Sequence, residues 1–137
     1  MTGIDNRLEQ KIGFDRIRRI ISDKCSTTYA AGRTATETFS AKPSQIRKRL
    51  LLTDEMRLIM MFEDGFPSSG FIDCIDFLKP LENSSSAIDI ISLRKLKTML
   101  DTLRRVTAFF EDVKDGVYPN LKRMSAPIIS FPEVQRR

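Results

Sequence analysis

The chain has 137 residues, 41% apolar and 30% charged, and its 23 lysines and arginines outnumber its 18 acids for a net charge of +5. That length fits one globular domain with a modest core. The longest wholly apolar run, Leu58-Ile59-Met60-Met61-Phe62, is far short of the roughly 18 residues of a membrane span, and the absence of histidine removes the usual general base and every Ser–His or Cys–His nucleophile pair.

The start of the chain, Met1-Thr2-Gly3-Ile4-Asp5, lacks the charged-then-apolar pattern of an export signal and points to a cytoplasmic protein. Phe14, Ile17, Ile20, Ile21 and Cys25 recur at steps of three and four, which predicts a helix. Ser26-Thr27-Thr28 breaks it and offers hydroxyls to cap the next. The segment Tyr29 to Phe39 predicts a weaker helix, its propensity lowered by Gly32 and three threonines. Its small residues Ala30, Ala31, Gly32 and Ala35 would let a neighbouring helix come close.

Lys42-Pro43-Ser44 opens a long helix, with Pro43 suited to the first turn. It is expected to run to about Asp64, roughly 30 Å, and to stop at Gly65-Phe66-Pro67. In its second half Met56, Leu58, Ile59, Met60, Met61 and Phe62 cover almost every side, the pattern of a helix buried on more than one face. Either it is central to this domain, or it meets protein outside this chain; Met56, Ile59, Met60 and Phe62 are then the interface candidates.

Asp73 is placed to cap a short helix through Leu78 that Pro80 ends, and Ser84-Ser85-Ser86 reads as a loop. From about Asp89 a second long helix carries Leu93, Leu96, Met99, Leu100, Leu103, Val106, Phe110 and Val113 on one stripe, a seam for a helical hairpin or bundle. Outside that stripe Lys97 and Asp101, and Asp101 and Arg105, stand four apart and predict ion pairs. Gly116 ends the helix. Pro119 opens a short one through about Met124, and Phe131-Pro132-Glu133-Val134 reads as the start of another, so the chain reads as a fragment of a longer protein. No segment alternates like a strand. The expected fold is all-α: two long antiparallel helices with three or four shorter ones, in a single domain over residues 1–137.

Cys25 and Cys74 stand 49 positions apart with no CxxC pair, and two thiolates cannot close a zinc shell. There is no GxxxxGK[ST] loop and no GxGxxG turn to cradle a phosphate. Asp73 and Asp76, an acidic pair without histidine, are a weak metal signal. No catalytic residue, cofactor or metal is expected in this chain. Its charge is uneven: residues 1–60 hold 12 lysines and arginines against 7 acids, and residues 61–137 hold 11 against 11. A polyanion would meet the first half.

The best candidates for that contact are Arg47, Lys48 and Arg49. None has an acid three or four positions away, and all lie near the positive end of the helix dipole. Arg16, Arg18 and Arg19 form a second cluster, partly offset by Asp15 and Asp23. Both clusters also admit the blander reading of a solvated surface. Nothing marks a base-reading helix and no aromatics interleave with the cations, so any nucleic-acid contact would be to the backbone and blind to sequence. Phe66 and Phe71, flanking Pro-Ser-Ser-Gly, read as loop anchors rather than as a wedge between bases.

The stretch Leu8-Glu9-Gln10-Lys11-Ile12-Gly13-Phe14-Asp15-Arg16-Ile17-Arg18 resembles the opening block of the second branch of the bacterial MutS family. Leu51-Leu52-Thr53-Asp54-Glu55-Met56-Arg57 is similar to a helix segment of that family. Phe66-Pro67, Asp73, Leu93-Arg94-Lys95, Phe109-Phe110, Tyr118-Pro119 and Ala126-Pro127-Ile128 follow in the family's order, while Ser68-Ser69-Gly70 and Ser84-Ser85-Ser86 depart from it. The resemblance implies the N-terminal portion of a helical core, in a parent that is an ATPase with a C-terminal Smr nuclease domain and uses ATP and Mg outside this segment. It further implies a homodimer that binds branched DNA, or ribosomal RNA at stalled ribosomes, and restrains recombination. The rival expectation, from another class, is a free-standing helical interaction module.

Overall fold

The computed structural model describes residues 6–83, 86–129 and 131, and among them the fold is all-α, with seven helices and no strand. Met1–Asp5, Ser84, Ser85, Ser130 and residues 132–137, and with them most of the expected serine loop and the expected final helix, lie outside the described residues. Where length predicts one domain, contacts divide the chain into two compact units, Met1–Pro43 and Ser44–Arg137. No helix among the described residues is long and apolar enough to cross a membrane.

The first unit holds α1 (Asn6–Lys11), α2 (Phe14–Ser22) and α3 (Thr28–Ala35). Gly13 separates the first two with a φ of 74°, a left-handed conformation that a side chain would strain and glycine adopts freely. Thr27 caps α3, its side chain accepting from the Ala30 N–H at 3.1 Å, which is the role its hydroxyl suggests. α3 stops at Ala35 rather than near Phe39. α2 and α3 touch closely at Ala31, whose carbonyl accepts from Ser22 Oγ at 3.1 Å. Gly32 is not part of that approach, since a Cβ there would meet nothing. No apolar side chain of this unit is buried among the described residues; Leu8, Ile12, Ile17, Ile20 and Ile21 all remain about half exposed.

The second unit contains α4 (Pro43–Phe62, from Ser44), α5 (Ile75–Leu78), a 3-10 turn (Lys79–Glu82), α6 (Ile90–Asp112) and α7 (Pro119–Ser125). The short helix ends at Leu78, as expected, and Pro80 sits inside the 3-10 turn that follows it, where a missing N–H is tolerated early. Cys74, one residue after the expected Asp73, occupies the cap position of α5 and makes no side-chain cap bond. Asp89 caps α6, accepting from the Ser92 N–H at 2.9 Å and the Ser92 hydroxyl at 2.6 Å. These bonds favour the ionised carboxylate and hold Asp89 below the usual aspartate range. On α6, Asp101 pairs with Arg104 at 3.7 Å, three residues on, instead of with Lys97 or Arg105.

Ile59, 0% exposed, centres the core with Val106, Phe110, Tyr118 and Leu121, and Leu52, Met56, Phe66, Phe71, Phe109 and Val113 pack around it. Both Phe66 and Phe71 therefore anchor their loop. Phe66 meets Phe109 and Phe110 edge-on at 5.3 and 6.1 Å between ring centroids, a favourable aromatic geometry. The two long helices share only their C-terminal halves in this core. Much of the predicted α6 seam is instead taken by the segment 65–74, which runs back along it: Phe66 on Phe109, Gly70 on Thr102, and the Ile72 N–H 3.5 Å from Met99 Sδ. Thr102, hidden within the apolar stripe, is buried and directs its hydroxyl to the carbonyls of Thr98 and Gly70 at 3.0 and 3.1 Å.

A carboxylate from α4 holds α7. Glu55, buried, accepts from the Asn120 N–H at 3.1 Å, Asn120 Nδ2 at 2.6 Å and the Leu121 N–H at 2.8 Å. Tyr118 donates its phenol to Glu63 Oε1 at 2.9 Å. Burial, then the hydrogen bond to Glu63 and its charge, push the Tyr118 phenol above its ordinary value. Lys122 donates to the Val113 carbonyl at 2.9 Å and to Asp115 at 2.8 Å, and these contacts hold Asp115 below its ordinary range.

Two expectations follow from this packing. Gly70 has a φ of 88°, and a Cβ built there would overlap the Thr102 hydroxyl oxygen. Left-handed backbone costs a residue with a side chain about 1–2 kcal/mol, and the overlap adds to it, so Gly70→Ala should lower stability by about 2 kcal/mol or more in urea unfolding. The raised Tyr118 pKa means the folded chain holds the phenolic proton more tightly than the unfolded chain. Its contribution is thus complete below the unfolded value of about 10 and is lost as pH rises through the higher folded value. The stability difference between the parent chain and Tyr118→Phe, followed by thermal unfolding, should be constant through neutral pH and shrink above that point.

Candidate nucleic-acid interface

The cluster on α2 divides by orientation. Arg18 turns inward: it donates to Glu9 Oε2 at 2.6 Å and to the Glu37 carbonyl at 2.7 Å, and its guanidinium lies 4.9 Å from the Phe14 ring centroid. Phe14 stacks in turn on Phe39 with centroids 4.3 Å apart. The side chains of Arg18 and Glu9 keep only 19% and 7% of their exposure. This bidentate-capable, aromatic-stacked cation is tying together the chain before α2, α2 itself and the segment after α3, a use for which arginine is well suited. Arg16 and Arg19 remain exposed. Of the α2 candidates, only these two are available to a polyanion.

On α4 every residue from Pro43 to Leu51 is exposed, Arg47, Lys48 and Arg49 among them. From Thr38 to Thr53 the chain carries four cations, including Lys42, and no acid. Among the described residues neither Arg47 nor Lys48 enters an ion pair. Consecutive helical residues point about 100° apart, so the three cations ring the helix rather than share a face. A single phosphate backbone passing along α4 would meet about two of them at once. The two basic clusters lie in different units.

The apolar candidates separate in the same way. Ile59, an interface candidate by sequence, is the centre of the core, because it points along the same side of α4 as Glu55. Met56 is partly buried against that core. Met60, Met61 and Phe62 stay exposed, Phe62 at 70%. A groove of about 590 Å3 lies between the end of α4 and α6, lined by Glu63, Arg105, Phe109, Asp112, Lys114 and Val117 among others. Its rim mixes both signs of charge and selects no ligand class.

Among the described residues no group of three or more His, Cys, Asp or Glu side chains is placed to hold a metal ion. Asp73 and Asp76 lie on either side of the cap of α5. Burial, with the Asp73 charge, pushes the neighbouring Cys74 thiol up, against an opposing effect of Lys95, so this cysteine stays protonated and unreactive at neutral pH. Cys25 is partly exposed and free; its Sγ lies 3.4 Å from the Ile21 carbonyl and 3.7 Å from Thr34 Oγ1. Comparison with protein-family models, with curated proteins and with solved structures finds no match for the chain.

Sequence reasoning did not find the division of labour within α2, because Glu9 and Glu37 are nine and nineteen residues from Arg18. One signal was available: arginine four residues after phenylalanine on a helix stacks on its ring. Removing Arg18 leaves Glu9 buried without its partner, so Arg18→Ala should destabilise the first unit by about 2 kcal/mol. Arg16→Ala and Arg19→Ala should stay within about 0.5 kcal/mol of the parent chain. Circular dichroism through a urea titration reads the difference.

Proposed function

We propose that this chain is a scaffold segment of a larger helical protein that grips nucleic acid by its backbone. The order of its motifs, similar to the second MutS branch, makes the parent a cytoplasmic, homodimeric, ATP-driven protein that engages branched DNA, or ribosomal RNA, and restrains recombination. In this reading the chain itself is not an enzyme. ATP, Mg and nuclease chemistry belong to other parts of the parent.

The observation that carries the scaffold reading is the first unit, where five leucine and isoleucine side chains of α1, α2 and the turn between them stay about half exposed and none is buried. A unit of some forty residues rarely stands alone without a core, a metal or disulfides. Such a surface is an unfinished one, and the remainder of a larger helical core finishes it. Exposed Arg47 and Lys48 of α4, which enter no ion pair among the described residues, with exposed Arg16 and Arg19, supply the contact to phosphates.

A reading from another class, an adaptor that presents Met60, Met61 and Phe62 to a partner, is favoured by the exposure of those three side chains at the end of α4. A reading frame that continues past Arg137 into a phosphate-binding GxxxxGK[ST] loop supports the scaffold and removes the adaptor.

The nucleic-acid contact is tested by titrating the chain with duplex and branched DNA, and with structured RNA, over a range of salt. Replacing Arg47, Lys48 and Arg49 together by alanine should weaken binding equally for all sequences. Because about two of the three meet one backbone, the slope of log affinity against log salt should become shallower by about 2. Equal binding by the parent chain and the triple variant, or no binding by the parent chain at low salt, removes α4 from the contact.

A further inference from the structure

We propose that two copies of this chain pair antiparallel through α4, with Leu50 of each copy over Met61 of the other and Asp54 of each against Arg57 of the other. This pairing draws on none of the cations of the nucleic-acid contact, goes beyond the homodimer of the reading above by naming a surface for it, and rests on a single stripe of side chains. Glu55, Ile59, Leu52 and Met56 turn one side of α4 into the core of the second unit. Leu50, Asp54, Arg57 and Met61 follow at steps of four, three and four, which places them together along the opposite side. All four are open to solvent: Leu50 at 64%, Met61 at 60%, and the side chains of Asp54 and Arg57 at 58% and 56%.

The spacing is that of a coiled-coil seam, and the order of residue types is self-complementary only in one direction. Laid antiparallel about a twofold axis between Glu55 and Met56, the stripe sets Leu50 against Met61 at both ends and Asp54 against Arg57 twice in the middle. Laid parallel in register, it would set Asp54 on Asp54 and Arg57 on Arg57, which like charges oppose. A slip of one turn would put an apolar end against a charged centre, so the polar layers also fix the register. The contact is isologous, the usual form of a twofold pair. Met60, exposed at 59% beside the seam, widens its apolar rim.

The charged pair already present does not stand in the way. Arg57 Nη2 bonds Asp54 within the same chain at 2.8 Å, and Arg57 Nη1 approaches Met61 Sδ at 3.2 Å. An ion pair this exposed contributes little, and exchanging it for the same pair between chains costs little. The seam spans only twelve residues, about 17 Å of helix, well under the roughly 800 Å2 per partner of a standard stable interface. The pairing is therefore a concentration-dependent equilibrium and not an obligate dimer.

Sedimentation equilibrium of the full chain, from about 10 μM to about 1 mM, spans the range expected of so small an interface. The expected result is a mass rising toward twice that of the monomer. Asp54→Arg alone and Arg57→Asp alone should each weaken the association about tenfold or more, while the double charge swap Asp54→Arg with Arg57→Asp restores it. All these positions are exposed, so circular dichroism should show unchanged helicity. As an independent readout, Leu50→Cys combined with Met61→Cys should form an oxidised two-chain species on a non-reducing gel. Within one chain those positions stand about 17 Å apart, too far for a disulfide, and neither single variant brings two new thiols together. A chain that stays monomeric throughout, an association that ignores the single charge reversals, or equal cross-linking by the single variants overturns the proposal.

Discussion

The second unit depends on one carboxylate. α7 is seven residues long, too short to persist by itself in water. Its cap position is Tyr118, which makes no side-chain cap bond, and its first residue is Pro119. The first free N–H groups of the helix, on Asn120 and Leu121, would be orphaned at a largely buried end, a costly condition. Glu55 supplies what the local sequence lacks, accepting from both N–H groups and from the Asn120 side chain. A negative charge at that end also meets the positive end of the helix dipole. With α7 fixed, Tyr118 and Leu121 close over Ile59, and Tyr118 reaches Glu63 one turn or so beyond. The long helix thus carries a row of contacts, Glu55, Ile59 and Glu63 at steps of four, that binds the C-terminal part of the unit to it.

Local rules were enough for most of the helices. Thr27 and Asp89 cap because their side-chain oxygens sit at cap positions, and Pro43 and Pro119 begin helices because a first turn has no use for their N–H. What the linear pattern could not supply is contact at long separation. The Glu55 bonds cross 65 and 66 residues, so nothing near Glu55 marks it as a cap. Thr102 sits inside an apolar stripe and looks like an interruption, yet its hydroxyl is what receives the Gly70 turn. The stripe of α6 is buried only toward its C-terminal end, at Val106 and Phe110, while Leu93 stays exposed, and periodicity records neither how far a face is covered nor by what. Here a loop containing Phe66, Pro67 and Phe71 does much of the covering that a facing helix was expected to do.

The candidate site divides for the same reason. Arg16, Arg18 and Arg19 are equivalent in composition but not in direction. A helix places Arg18 on the side of Phe14, and there it meets Glu9, while Arg16 and Arg19 face outward. Ile59 and Met60 are neighbours in the chain, and about 100° of rotation makes one the centre of the core and leaves the other in solvent. Composition ranks candidates; the angle about the helix axis sorts them.

The two halves of α4 then explain each other. Its first nine residues, Pro43 to Leu51, are exposed on every side, carry Arg47, Lys48 and Arg49, and include no acid. Such a stretch would not nucleate a helix: nucleation fixes several residues for a single bond, and cations at an N-terminus oppose the dipole. Extending an existing helix costs far less. The second half of α4, fastened by Glu55 and Ile59, is that existing helix, and the basic turns are its extension. Display of the cations is therefore coupled, through the helix they extend, to the packing of residues 55–121. Loosening the Glu55 cap frees α7 and removes Leu121 from Ile59, and the basic turns fray as their anchor weakens. Neutralising the cations with phosphates acts in the opposite sense, since it removes the charge that disfavours those turns and leaves the anchored helix free to hold its full length.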